Sequence, residues 1–110
     1  MSIANLYIDQ GSDYTTTLTI NDSAGLPLDL TLYTASAQIR KTFSSTTSVS
    51  FTVTFDTDRT TGKITLELSN AQTTSLKSGI QVYDVLITDI NSKKTRVVEG
   101  NANVSPMVTQ

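Results

Sequence analysis

The chain contains no cysteine, no histidine and no tryptophan. Without histidine and cysteine it cannot assemble a Ser-His-Asp or Cys-His nucleophile, or a zinc site of the usual His/Cys type. The lack of cysteine also removes any disulfide framework, so the redox compartment is not encoded. Charge is sparse as well: 16% of residues are charged and the net charge is −2. That leaves no electrostatic footprint for nucleic acid, whose affinity comes mainly from neutralised phosphates. The opening run Met1-Ser2-Ile3-Ala4-Asn5-Leu6-Tyr7-Ile8-Asp9 has no basic region and no long apolar stretch. It predicts neither a signal peptide nor a membrane anchor, and a chain made in the cytoplasm. Acid–base chemistry would fall to ten carboxylates, five lysines and four tyrosines, so an enzyme is not expected, nor a cofactor or metal.

Hydroxyls fill the gap: 20 threonines and 13 serines in 110 residues. Threonine is β-branched and suits a half-buried pleated surface, which points to strands with a hydroxyl-lined outer face. The length is that of one domain, residues 1–110, large enough to bury a core without disulfides.

Period-two alternation recurs along the chain, and no long stretch carries a helical apolar face. Tyr14, Thr16, Leu18 and Ile20 alternate with Thr15, Thr17 and Thr19. Ala35, Ala37 and Ile39 alternate with Ser36, Gln38 and Arg40. Phe51, Val53 and Phe55 lead through an Asp- and Thr-rich connection into Ile64, Leu66 and Leu68, which reads as a hairpin. Ser69 or Asn70 can cap one helical turn through Leu76. The strand Gln81 to Thr88 carries Tyr83, Val85 and Ile87 on one face and Val82 and Leu86 on the other, the mark of a central strand. Gly100 is expected to mark a bulge or bend, and Pro27 and Pro106 edges.

Seven to eight short strands with regular turns predict an all-β fold, an immunoglobulin-like antiparallel β-sandwich. Leu76 to Val85 has the shape of the corner before strand F of such domains, with Gly79 at the bend and Tyr83 bonding back to upstream backbone. The alternative is a plain core tyrosine with its hydroxyl at the sheet edge.

Read together, Ile8-Asp9-Gln10-Gly11, Leu28-Asp29-Leu30, Ala37-Gln38-Ile39-Arg40-Lys41, Thr61-Gly62-Lys63-Ile64, Val82-Tyr83-Asp84-Val85 and Arg96-Val97-Val98-Glu99-Gly100 resemble small phage structural proteins. The family is that of the immunoglobulin-like N-terminal domain of phage baseplate upper proteins, with stand-alone homologues in tailed phages. The resemblance implies a non-enzymatic virion component present in multiple copies, docking on other structural proteins of the tail, baseplate, neck or capsid. It does not extend to the long C-terminal region that forms the trimer in baseplate upper proteins, so capsid decoration stands beside the adaptor role. A host-surface binding module, for glycan or protein, is the alternative.

The remaining candidates follow from residue type. Asp56 and Asp58, with Asp29 or Asp84, could gather oxygen ligands, but Thr60 stands where the calcium-loop pattern needs Asp or Asn. Asp9 and Asp13 flank Gly11, where a turn role is favoured over a catalytic pair. Phe43 lies in a Ser/Thr-rich loop, where a lone ring needs a partner, and is the first interface candidate. The first and last strands are nearly free of charge and are expected to be open edges that mediate assembly. Leu6, Tyr7 and Ile8 represent the first, and Val104, Met107 and Val108 the second.

Overall fold

In a computed structural model, residues 2–22, 24–42, 44 and 48–107 are described, so Phe43 and Val108 lie outside the described residues. Among these, nine strands run in the order β1 (Ser2–Ile3), β2 (Leu6–Asp9), β3 (Tyr14–Thr19), β4 (Thr34–Arg40), β5 (Val49–Ser50), β6 (Thr52–Phe55), β7 (Lys63–Leu68), β8 (Gly79–Thr88) and β9 (Lys94–Ser105). One α-helix, α1 (Asn70–Ser75), and one 3-10 turn, Arg59–Thr61, interrupt them. They form two sheets, a six-stranded one ordered β1/β2-β9-β8-β4-β5 and a three-stranded one ordered β3-β7-β6.

The alternation along each strand is what closes the sandwich. Ile64, Leu66 and Leu68 of β7 are buried in one core with Ala37 and Ile39 of β4 and Tyr83, Val85 and Ile87 of β8. Side chains two apart share a face, so one apolar row per strand suffices for a common core. Residues 49–55 cross from one sheet to the other, β5 pairing with β4 and β6 with β7. Phe51 sits buried at the crossing, edge-on to Tyr83 at 6.2 Å between centroids. Pro27 falls in an irregular connection and makes only an isolated bridge with Asn21.

The helix forms because Ser69 accepts from the Gln72 amide while the Gln72 side chain accepts from the Ser69 amide, a complete capping box. Its buried Thr73 fixes it in place, donating to the Ser12 carbonyl and accepting from the Gly11 amide. The turn after β2 is thereby tied to the turn before β8.

Two sequence expectations need correction here. The sandwich is not wholly antiparallel, because β1 and β2 both pair in parallel with β9. The first and last strands are therefore partners of each other, and β9 lies inside its sheet between β2 and β8. Gly100 is not the bulge. The register slips between Val85 and Leu86, whose partners are Val98 and Arg96, so Val97 is the extra residue. Gly100 answers a different constraint: a Cβ there would collide with the Ala4 carbonyl. The absence of a side chain lets the link between β1 and β2 lie against β9.

Candidate interaction surface

Cross-strand register places side chains on the outer face of the six-stranded sheet in rows. Tyr7, Asn103 and Ile80 form one row across β2, β9 and β8. Tyr7 is 75% exposed and Ile80 69%, so two large apolar side chains flank one half-buried amide in open solvent. The Asn103 amide donates to the Leu6 carbonyl at 3.2 Å, holding this row together. Further along the same face, Val82 and Leu86 are half-buried. Between them Arg96 reaches Asp84 at 3.2 Å and Glu99 at 3.4 Å. These pairs are well exposed and contribute little stability. Their effect is to replace a continuous apolar patch by apolar and charged rows side by side.

At the α1 end of this sheet, Arg40, Lys41 and Lys77 surround a shallow groove floored by Ile39, Val49 and Leu76. Arg40 and Lys41, which alternation sends to opposite faces, line the groove together because β4 ends at Arg40 and the chain bends at Lys41.

The predicted interface residues separate sharply. Leu6, Ile8 and Val104 are core residues, at 4%, 0% and 4% exposure, because the pairing of β2 with β9 turns their face inward. They are withdrawn as interface candidates. Tyr7, between Leu6 and Ile8, is the one that points out. Met107 is half-buried; its amide donates to the Gln10 side chain, and its sulfur occupies the space where a Cβ on Gly11 would stand. Phe43 and Val108 are outside the described residues.

Tyr83 is buried, but it does not make the expected corner. Its hydroxyl donates to the Ala4 carbonyl at 2.5 Å, across to the first strands rather than to nearby upstream backbone. Gly79 opens β8 on the exposed side of that bend, and the bend itself is held by Gln81 donating to the Lys77 carbonyl. Burial, then the neighbouring Tyr14, pushes the Tyr83 hydroxyl up to about 12. Burial raises Tyr14 as well, against a hydrogen bond with Thr16 that lowers it. The Tyr83 phenol is thus kept neutral, as a donor.

Among the described residues most of the carboxylates are occupied by local structure; the Asp9 and Glu67 side chains are not. Asp58 caps a single 3-10 turn, Arg59–Thr61, and the Thr60 hydroxyl, then its amide, holds it below the usual carboxylate range. Asp29 is lowered in the same way by Thr31. Asp56 accepts from the Thr61 hydroxyl, Asp13 from the Asn70 amide, and Asp84 faces Arg96 on the outer sheet face. Among the described residues no group of three acidic side chains converges as a metal site would need. No helix among them is long and apolar enough to cross a membrane.

No family model matches the chain, and no curated protein does. Solved structures do match. An internalin-like protein of Listeria monocytogenes aligns over 96% of this chain at 19% identity with a TM-score of 0.50; the chain spans 28% of that protein. A structure from a study of multimeric cell-adhesive interactions of VGSC beta subunits aligns over 94% of this chain and 92% of its own, at 15% identity and a TM-score of 0.52. The fold is an immunoglobulin-like β-sandwich. At these identities the likeness concerns the fold alone.

Sequence reasoning misses Ile80 and Ile3, exposed at 69% and 76%. It also reads Val82 and Leu86 as signs of a strand covered on both sides. The signal of an outer apolar row is present, but alternation cannot tell a covered outer face from one open to solvent.

Proposed function

We propose that the chain is a non-enzymatic structural component of a tailed-phage virion, carried in multiple copies and docking on other virion proteins. The observation that carries an interaction role is the outer face of the six-stranded sheet, where Tyr7 and Ile80 stand exposed on either side of Asn103. Exposed aromatic and aliphatic side chains beside satisfied polar groups are what an interface core is built from. The virion placement draws its support from the family resemblance of the motifs quoted above. The residue inventory agrees, since most carboxylates serve turns and ion pairs and the one buried phenol, Tyr83, donates a hydrogen bond as the neutral group.

Mass spectrometry of purified particles tests this reading. The protein should be present at a copy number set by particle symmetry, a multiple of three or six for tail or baseplate and a larger one for capsid decoration. Its absence from particles would reject the reading. Binding of the isolated domain to host cells, with no incorporation into particles, would favour the host-surface module instead, for which the same exposed Tyr7 speaks.

A further inference from the structure

The three-stranded sheet leaves β3 as an edge, since β3 pairs only with β7 among the described strands. It is also the longest edge among them, six residues against four each in β2 and β6 and two in β5. Its sequence, Tyr14-Thr15-Thr16-Thr17-Leu18-Thr19, has no charge, proline or glycine, the devices that ordinarily block edge pairing.

The register shows which groups are free. Ile20 donates to the Gly62 carbonyl, its partner when the β3–β7 ladder is continued by one residue. Hydrogen-bonded pairs alternate in an antiparallel ladder, so Leu18, Thr16 and Tyr14 bond to β7. The main-chain N–H and C=O groups of Thr15, Thr17 and Thr19 therefore point out of the sheet.

We infer that this edge pairs with β3 of a second copy, antiparallel and centred on Thr17, joining two three-stranded sheets into one. Period two and the free groups select the register. Thr17 opposes Thr17 of the second copy, and Thr15 opposes Thr19, each pair exchanging two main-chain hydrogen bonds. Every free group of the three threonines is then used. On the inner face Thr16 meets Leu18, so apolar meets apolar or methyl. On the outer face the Thr65–Thr17 pair, with hydroxyls 3.2 Å apart, continues as a threonine row across the seam.

Charge fits the same two-fold arrangement. Thr15 pairs with Glu67 and Thr19 with Lys63 on β7. Each outer row across the seam therefore carries Glu67 of one copy and Lys63 of the other at its two sides. No like charges face each other: Asp13 falls opposite Asn21, and Asp22 opposite Ser12. A single edge buries less than the roughly 1,200 Å² of a standard stable interface, so the association is concentration dependent and gains strength where copies are held together. The inference rests on edge geometry and does not require the virion placement.

Sedimentation equilibrium from micromolar to millimolar protein should show a reversible dimer. Thr17→Lys places two cations directly opposite each other and should weaken it about two- to fivefold, with the melting temperature of the dilute chain nearly unchanged because the side chain is exposed. In a chain without cysteine, Thr17→Cys should cross-link through a short bis-maleimide, whereas Thr54→Cys, two strands further from the seam, should not. A wild-type chain that stays monomeric throughout, a dimer indifferent to Thr17→Lys, or equal cross-linking at the two cysteine positions would each overturn the inference.

Discussion

The two sheets share one core yet present opposite outer surfaces. The three-stranded sheet shows Thr15, Thr17, Thr19, Thr52 and Thr54, with Lys63 and Glu67 on its central strand. The six-stranded sheet shows Tyr7, Ile80, Val82 and Leu86 beside the Asp84–Arg96–Glu99 cluster. Inward, both are mainly apolar. The contrast separates two determinants that alternation merges: the inner row sets the fold, whereas the outer row sets what each face can bind. A threonine face has short side chains that lose little entropy on contact, and it leaves recognition to the backbone at the sheet edge. An aromatic and aliphatic face carries recognition in the side chains themselves.

Substitutions at inner and outer leucines should break this symmetry most visibly. Leu66→Ala, at 0% exposure in β7, should cost about 2–5 kcal/mol in urea denaturation. Leu86→Ala, half-buried on the outer face, should cost about 1 kcal/mol or less. Equal losses would mean that the outer face matters to stability as much as the core does.

The seam between first and last strands comes next. Gly100→Ala should cost about 1–3 kcal/mol, because the new methyl must displace the Ala4 carbonyl. Hydrogen exchange should accelerate first at Ala4, whose amide donates to the Glu99 carbonyl, and not in β3 or β7.

A smaller effect attaches to Tyr83. Tyr83→Phe removes the bond to the Ala4 carbonyl and should cost about 1 kcal/mol at neutral pH. Its pH signature is sharper. The hydroxyl titrates at about 12 when folded against 10.0 for the ordinary phenol, so between those values the unfolded chain binds fewer protons and stability falls as pH rises. Tyr83→Phe should flatten that alkaline slope, to which Tyr14 contributes with the same sign. An unchanged slope would show that Tyr83 is not held neutral by its surroundings.

Most strands and turns are legible in the sequence because their causes are local. Alternation locates β3, β4, β6, β7 and β8, and Ser69 marks the helix start. What cannot be read involves partners far apart in the chain. Leu6, Ile8 and Val104 look like the side chains of open edges until the parallel pairing of β2 with β9 buries them together. Gly100 looks like a bulge until Ala4 is seen against it, and the Tyr83 hydroxyl finds its acceptor 79 residues away. The candidate surface is half legible for the same reason. Tyr7 stands out in the sequence only alongside its buried neighbours, whereas Ile80 joins it through the register of β9 against β2 and β8.

The central claim is that the exposed Tyr7–Asn103–Ile80 row attaches the domain to its partner. A chain carrying both Tyr7→Ser and Ile80→Ser tests it in particles assembled with wild-type and variant protein in equal amounts. Both side chains are largely exposed, so the melting temperature should be nearly unchanged. Mass spectrometry of the purified particles should then find the wild-type chain and almost none of the variant. Equal incorporation of the two, with both folded, would contradict the account.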